Sequence, residues 1–313
     1  MAFLRSLVRF GFPFLLAAGG ACMAHARAPV FADVLVHEPS PNGTPLAWIA
    51  IEPRAQSYPV ALYLTGSGCH SVIHAEPYLQ ALADAGYGVV APEKRGIAIH
   101  ADGSSDCTPE FLATNDRQQR IADTELVLSR VRARLSGWDG RLVVIGASEG
   151  GQIAPEIATR HAEAAALIII GSGGRDQATD MKDLAAKRGE DPKALDTTFA
   201  AIEADPVATK TWAGKDNTYK RWASYLRYRP MDSLVQLKVP IFVAQGGNDG
   251  SSPVESAVAI DEEFARLGKT NLKLRIFAGL GHNFADVQGR DHFREVGAEM
   301  LDWLREKVPP VRP

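Results

Sequence analysis

Five stretches of this chain are apolar without interruption: Val60–Leu64, Gly88–Pro92, Leu142–Ile145, Ala165–Ile170 and Val239–Ala244. A strand with one face in water alternates polar and apolar residues. A strand with no polar face has to be covered on both sides, which is the habit of parallel sheets. Between these runs the spacing turns helical. A helix is expected from about Pro77 to Ala85, stopped by Gly86. Another runs from an Asn115 N-cap to about Leu135 and buries Ile121, Leu128, Val131 and Leu135. Gln152–His161 reads as a third. From Pro253, a fourth places Val254, Ala257, Ile260, Phe264 and Leu267 on one face, with Gly268 as its C-cap. A last helix, roughly Asp291 to Val308, buries Phe293, Val296, Met300 and Leu304. Strands alternating with helices predict an α/β fold with a mostly parallel, doubly wound sheet and helices on both faces.

The remaining segments are less regular. Phe31–Glu38 and Leu46–Arg54 read as strands, and Pro41-Asn42-Gly43 between them is turn chemistry, so an antiparallel hairpin should open the fold. Leu272, Leu274 and Ile276 alternate with Lys273 and Arg275, as in a half-exposed strand. Residues 97–114 show little periodicity and are expected to be a surface loop. Between Gly171 and Lys238 lie 68 residues without a convincing strand, holding charged helical stretches and Trp212, Tyr219, Trp222, Tyr225 and Tyr228. So long a connection is no ordinary loop. It predicts a helical cap inserted at about 175–237, the alternative being a long surface excursion.

The amino terminus is of another kind. Arg5 and Arg9 precede an apolar stretch from Phe10 to Gly20, and Ala24-His25-Ala26 offers a small-x-small cleavage site. That pattern predicts a signal peptide over 1–26, whose apolar part is too short to span a membrane, and a secreted or periplasmic domain over 27–313. The alternative is a lipoprotein signal ending at Cys22, although Gly19-Gly20-Ala21 lacks the usual leucine. Two further cysteines, Cys69 and Cys107, follow. In an oxidising compartment an even pair suggests a disulfide, against the alternative of two separate buried thiols. At 313 residues, 46% of them hydrophobic, the chain suits one large domain, and a formal charge of −3 offers no basic excess for nucleic acid.

One motif carries chemistry. Gly146-Ala147-Ser148-Glu149-Gly150-Gly151 follows a buried strand and opens a helix, the context of a nucleophile elbow. In an open parallel sheet, catalytic groups gather beyond the carboxyl ends of the strands. Ser148, Asp249 and His282 each follow a predicted strand, in that order. With Gly246–Asp249 and Gly281-His282, this order resembles the α/β-hydrolase superfamily over essentially the whole chain after the leader. The chain also looks like the secreted branches near dienelactone hydrolases and prolyl-oligopeptidase-type domains. The resemblance implies Ser148 as nucleophile, His282 as base and Asp249 as its orienting carboxylate. It further implies an oxyanion hole made by the N–H of Glu149 and a donor from Thr65-Gly66-Ser67-Gly68, where relatives carry His-Gly-x. Ser67 is the leading candidate and Gly68 the fallback.

Glu93, Lys94 and Arg95 end a strand near the same edge. They read as a structural ion pair, or as cations from which Arg95 or Lys94 neutralises Glu149 or binds an anionic substrate group. His70, His74 and His100 lack metal-ligand spacing, so no metal is expected, and no phosphate or nicotinamide motif implies a cofactor. The expectation is a cofactor-free serine hydrolase of a carboxylic ester or short peptide, with the cap aromatics shaping its pocket. Peptidase, thioesterase and a non-catalytic binding protein on the same scaffold are the alternatives. Oligomeric state is not legible.

Overall fold

The computed structural model describes residues 35–38, 45–100 and 104–311. The leader read over 1–26, with Cys22, lies outside the described residues, as do residues 31–34 of the first expected strand and the Pro41-Asn42-Gly43 turn. The described chain opens with β1 (Leu35–Glu38), β2 (Leu46–Ile51), β3 (Tyr58–Leu64), α1 (Glu76–Asp84) and β4 (Gly88–Pro92). It continues through β5 (Ile97–Ile99), β6 (Ser105–Cys107), α2 (Pro109–Thr114), α3 (Arg117–Arg134), β7 (Trp138–Ala147), α4 (Glu149–Arg160) and β8 (Ala164–Ile170). Four helices follow without a sheet strand: α5 (Gln177–Lys187), α6 (Ala194–Ala204), α7 (Tyr219–Tyr225) and α8 (Met231–Leu234). The chain then returns to β9 (Ile241–Gly246), α9 (Val254–Arg266), β10 (Leu272–Phe277) and α10 (Phe293–Lys307).

Eight strands form one sheet in the order β1-β2-β4-β3-β7-β8-β9-β10. β2 runs antiparallel to both β1 and β4, and every other pairing is parallel. From β3 the chain steps to one side, to β4; from β7 it steps to the other, through β8 and β9. The order therefore reverses between β3 and β7, whose ends meet where Leu64 pairs with Gly146. Such a reversal splays the connecting loops apart and leaves a crevice at the carboxyl edge.

Alternation along β7 fills two cores. Leu142 and Val144 point to the layer built by α3, α4 and α9, where Val127, Ile153, Ile157 and Phe264 are buried. Val143 and Ile145 point to the layer of α1 and α10, against Leu79, Leu82, Met300 and Leu304. Each such side chain contributes about 1.5–3 kcal/mol by leaving water. The inserted helices hold a third cluster, with Phe199, Ile202, Tyr219 and Trp222 buried among themselves. Among the described residues, no helix is long and apolar enough to cross a membrane.

Two local expectations are corrected. Residues 97–114 are not a plain loop: β5 and β6 pair as a short antiparallel hairpin, and α2 follows. The turn into α2 is set by Thr108, whose hydroxyl accepts the Phe111 N–H, with Pro109 at the first helical position. The cap of α3 is Asp116, whose carboxylate accepts the Gln119 N–H at 2.8 Å, rather than Asn115, which is buried just before it.

Candidate active site

The elbow forms because its glycines permit two backbones to touch. A Cβ on Gly146 would lie 2.3 Å from the Gly150 carbonyl oxygen, and one on Gly150 would lie 2.1 Å from that of Leu64. Ser148 itself sits at φ 51°, ψ −116°, a backbone state costly for any residue with a side chain. The turn is pinned on both sides. The Ser148 N–H donates to the Ile170 carbonyl at 2.7 Å, and the Ser148 carbonyl accepts the Gly151 N–H at 2.9 Å.

The structure brings the three residues singled out in the sequence into one chain of contacts. His282 Nε2 is 2.9 Å from Ser148 Oγ, and His282 Nδ1 is 2.8 Å from Asp249 Oδ2. Since an ionised carboxylate only accepts, Nδ1 carries the proton and Nε2 offers its lone pair to the serine hydroxyl. The Asp249 side chain is fully buried and held from behind. Its Oδ1 accepts the N–H groups of Ser251 and Ser252, both at 2.8 Å, and its Oδ2 accepts Gln245 Nε2 at 3.0 Å. Gln245, at the end of β9, was not singled out in the sequence. A polar residue closing an otherwise apolar strand was the available signal. His282 stays close to the strand ends because Gly246 lets the Gly281 backbone approach: a Cβ there would meet the Gly281 oxygen at 2.4 Å.

Glu149 points the opposite way, into a buried cluster of charges. Arg120 Nη1 donates to it at 2.6 Å, and Arg221, from α7, donates through Nε at 2.7 Å. Burial alone would raise its carboxyl, but Arg221, Arg120 and then Lys94 outweigh that and hold it at about 2. Direct pairing with Glu149 thus falls to Arg120 and Arg221 rather than to the expected Arg95 or Lys94, with Lys94 adding a weaker pull from nearby. Arg95 pairs with Asp123 at 2.5 Å, and Lys94 Nζ donates to the backbone oxygens of Gly66 (2.8 Å) and Gly68. Arg120 and Arg221 lie on helices, where a cation reads as solvated surface until the tertiary fold is known.

A cleft of about 670 Å³ opens over Ser148 and His282. One wall is a run of aromatic rings: Tyr63 to Tyr78 at 5.8 Å between centroids, Tyr78 to Phe293 at 5.7 Å, and Phe293 to Phe284 at 6.1 Å. These come from β3, α1, α10 and the loop after β10, so no single sequence window showed them. Burial raises the Tyr63 phenol to about 12, which keeps it a neutral hydroxyl. His70 and His74 line the mouth. The inserted aromatics expected to shape this pocket do not line it. Trp212 instead packs edge-on against Phe199 and Trp222, at 6.1 and 5.3 Å.

Ser67 is exposed and lines the cleft beside Ser148, whereas Gly68 is buried, with φ 78° and Asp216 against it. The next residue, Cys69, is disulfide-bonded to Cys107 at a Cα separation of 5.1 Å. Cys107 lies in β6 rather than in a loop, so the bridge ties the segment after β3 to the small hairpin. Chemically, the cleft presents a hydroxyl beside an unprotonated imidazole nitrogen, a carboxylate behind that imidazole, and the free N–H end of α4.

Comparisons with known proteins agree with this architecture. The acylaminoacyl peptidase of Pyrococcus horikoshii superposes with a TM-score of 0.59 at 15% identity, over 89% of this chain but only 42% of the peptidase. A thermostable carboxyl esterase from Bacillus coagulans gives 0.60 at 15% identity, over 88% of this chain and 98% of that one. Est1E from Butyrivibrio proteoclasticus, solved with ferulic acid bound, gives 0.61 at 17% identity, over 87% and 99%. No curated protein matches by sequence. At such identities these structures speak for the fold. The sequence pattern of the alpha/beta hydrolase family matches residues 61–296, most of the chain, and the chain belongs to that family.

Proposed function

We infer that the protein is a serine hydrolase that cleaves a carboxylic ester through an acyl-enzyme. The observation that carries this reading is the contact chain Ser148 Oγ–His282 Nε2 at 2.9 Å and His282 Nδ1–Asp249 Oδ2 at 2.8 Å, at the base of an aromatic-walled cleft. As Ser148 Oγ attacks the ester carbonyl carbon, its proton passes to His282 Nε2. Asp249 holds the imidazole in place and stabilises the imidazolium. The carbonyl π electrons move to oxygen, and the N–H groups of Glu149 and Ser67 receive that oxyanion. Collapse expels the alcohol, which takes the proton from His282. Water, deprotonated by the same nitrogen, then attacks the acyl-enzyme, releases the acid and restores Ser148.

Esters rather than amides are favoured because the carboxyl esterase and Est1E superpose over nearly their whole length, while the chain spans less than half of the peptidase. The domain is read as exported, with 1–26 as its leader.

A panel of p-nitrophenyl esters, thioesters and peptide amides tests the reading. Esters should turn over, and Ser148→Ala should abolish the turnover. Hydrolysis confined to amides would replace the ester reading by a peptidase. No turnover of any member of the panel would favour a binding protein on this scaffold.

A further inference from the structure

Lys94 is not part of the relay, yet it is buried directly behind the loop that faces Ser148. Its Nζ donates to the carbonyl oxygens of Gly66 and Gly68. Charged groups surround it from every side: Glu93 from its own strand end, Arg120 from α3, Glu149 from α4 and Arg221 from α7. Burial and then Arg120 lower its ammonium to about 7, against the pull of Glu149 and Glu93. A lysine held in so crowded a place has a poor position as a stabilising charge. Its geometry gives it another use.

The peptide unit between Gly66 and Ser67 is trans, since the described residues contain no cis peptide bond. In a trans peptide the C=O and N–H point in opposite directions. Fixing the Gly66 oxygen on Lys94 therefore turns the Ser67 N–H away from the buried cluster. On that far side is the cleft, which Ser67 and Ser148 both line. Gly66 is already pressed against Ser148: a Cβ on it would come within 3.3 Å of Ser148 Cβ. The Gly68 N–H belongs to a different peptide unit, whose oxygen is that of Ser67, and Lys94 does not hold it.

The geometry points to Lys94 as a positioning residue of the reaction: by gripping the Gly66 and Gly68 carbonyls it aims the Ser67 N–H at the oxyanion formed on Ser148. The inference rests on the serine-hydrolase reading and deepens it. It also chooses Ser67 over Gly68. Lys94 touches no substrate and acts only through the backbone it holds.

The test is Lys94→Met, which keeps the length and removes the donors, checked for folding by near-UV circular dichroism. With a p-nitrophenyl ester, kcat should fall about 10–100-fold while KM changes less than about 3-fold, as expected when an oxyanion donor is misdirected rather than removed. A trifluoromethyl ketone of the same acyl group, which forms an oxyanion on Ser148, should lose affinity by the same factor. The matching ether, which has no carbonyl to polarise, should bind within about 2-fold of wild type. Wild-type kcat in the folded variant overturns the role. So does a loss that falls equally on ketone and ether, the signature of a merely damaged cleft. Should Lys94→Met not fold, Lys94→Gln, which is shorter and has a neutral NH2 in place of the ammonium, carries the same ketone-to-ether comparison: a selective loss for the ketone supports the role, and an equal loss or no loss overturns it. Wild type that neither turns over esters nor binds the ketone would sink the hydrolase reading itself, and the positioning role with it.

Discussion

Ser148 and Glu149 are neighbours in sequence and opposites in environment. Ser148 faces the open cleft on a backbone held at φ 51°, with one hydrogen bond between its hydroxyl and an imidazole. Glu149 is buried, fastened by two guanidinium groups from two different helices. Half of the elbow is half-buried and faces the cleft; the other half is an anchor. A turn that stores strain persists only where its surroundings over-determine it. The buried ion cluster supplies that determination, and through Arg221 it also ties the inserted helices to the elbow.

The contrast can be broken from either side. The largest effect belongs to the half that faces the cleft. Ser148→Ala should lower ester turnover by at least about 10⁴-fold while leaving the denaturation midpoint nearly unchanged, because only a hydroxyl is lost. A comparable loss of stability would mean that Ser148 is itself part of the anchor. The buried half should answer in stability. Glu149→Ala leaves two guanidinium groups unpaired in the interior and should cost about 3–5 kcal/mol in urea unfolding. A cost below about 1 kcal/mol would show that the cluster does not hold the turn.

Glu149 also has a pH signature. Its folded-state carboxyl lies at about 2, below its ordinary 4.5. The stability that its ionised form provides is therefore complete above pH 4.5 and drains away as the pH falls towards 2, where the unfolded chain takes up the proton first. Glu149→Gln lacks this component. The stability gap between wild type and Glu149→Gln should narrow over that window, and a gap independent of pH would contradict the assignment.

A second anchor lies in the segment after β3. The Cys69–Cys107 bridge spans 38 residues, and opening it should cost about 3–4 kcal/mol by loop entropy. Intact mass should show two hydrogens fewer than the reduced protein. Free alkylation of both thiols without reductant would end this claim.

The smallest contrast concerns the aromatic rings. Phe293→Ala opens the cleft wall and should shift the preference between short and bulky acyl groups about 10-fold. Trp212→Ala, in the inserted cluster, should lower stability by about 1–3 kcal/mol and leave that preference as it is. A selectivity change from Trp212→Ala would restore the inserted helices to the pocket.

The parts of this structure that were legible in the sequence are those with a local signature. β3, β4 and the central residues of β7 to β9 are buried on both faces and announce themselves as apolar runs. Ser148 and Asp249, past the ends of β7 and β9, and His282, past the half-exposed β10, are readable because the loops of a parallel sheet all emerge at one edge. What was not legible depends on distant pairings. β5 and β6 are three residues each and only partly buried, too short for any period to show. Arg120 and Arg221 find Glu149 only once the fold brings α3 and the Arg221 side chain of α7 to the start of α4. The inserted aromatics suggested a pocket by their chemistry, but a cluster of rings can satisfy itself, and edge-on packing around Trp212 does so.

On the proposed reading, the Ser148 hydroxyl, activated through His282, is the group that bonds to substrate. Treatment with a fluorophosphonate followed by peptide mass mapping tests it directly. A single adduct should form on Ser148, appear together with loss of ester turnover, and fail to form in His282→Ala. Native protein that stays unlabelled while an ordinary serine esterase reacts, or that loses activity through an adduct on another residue, would contradict it.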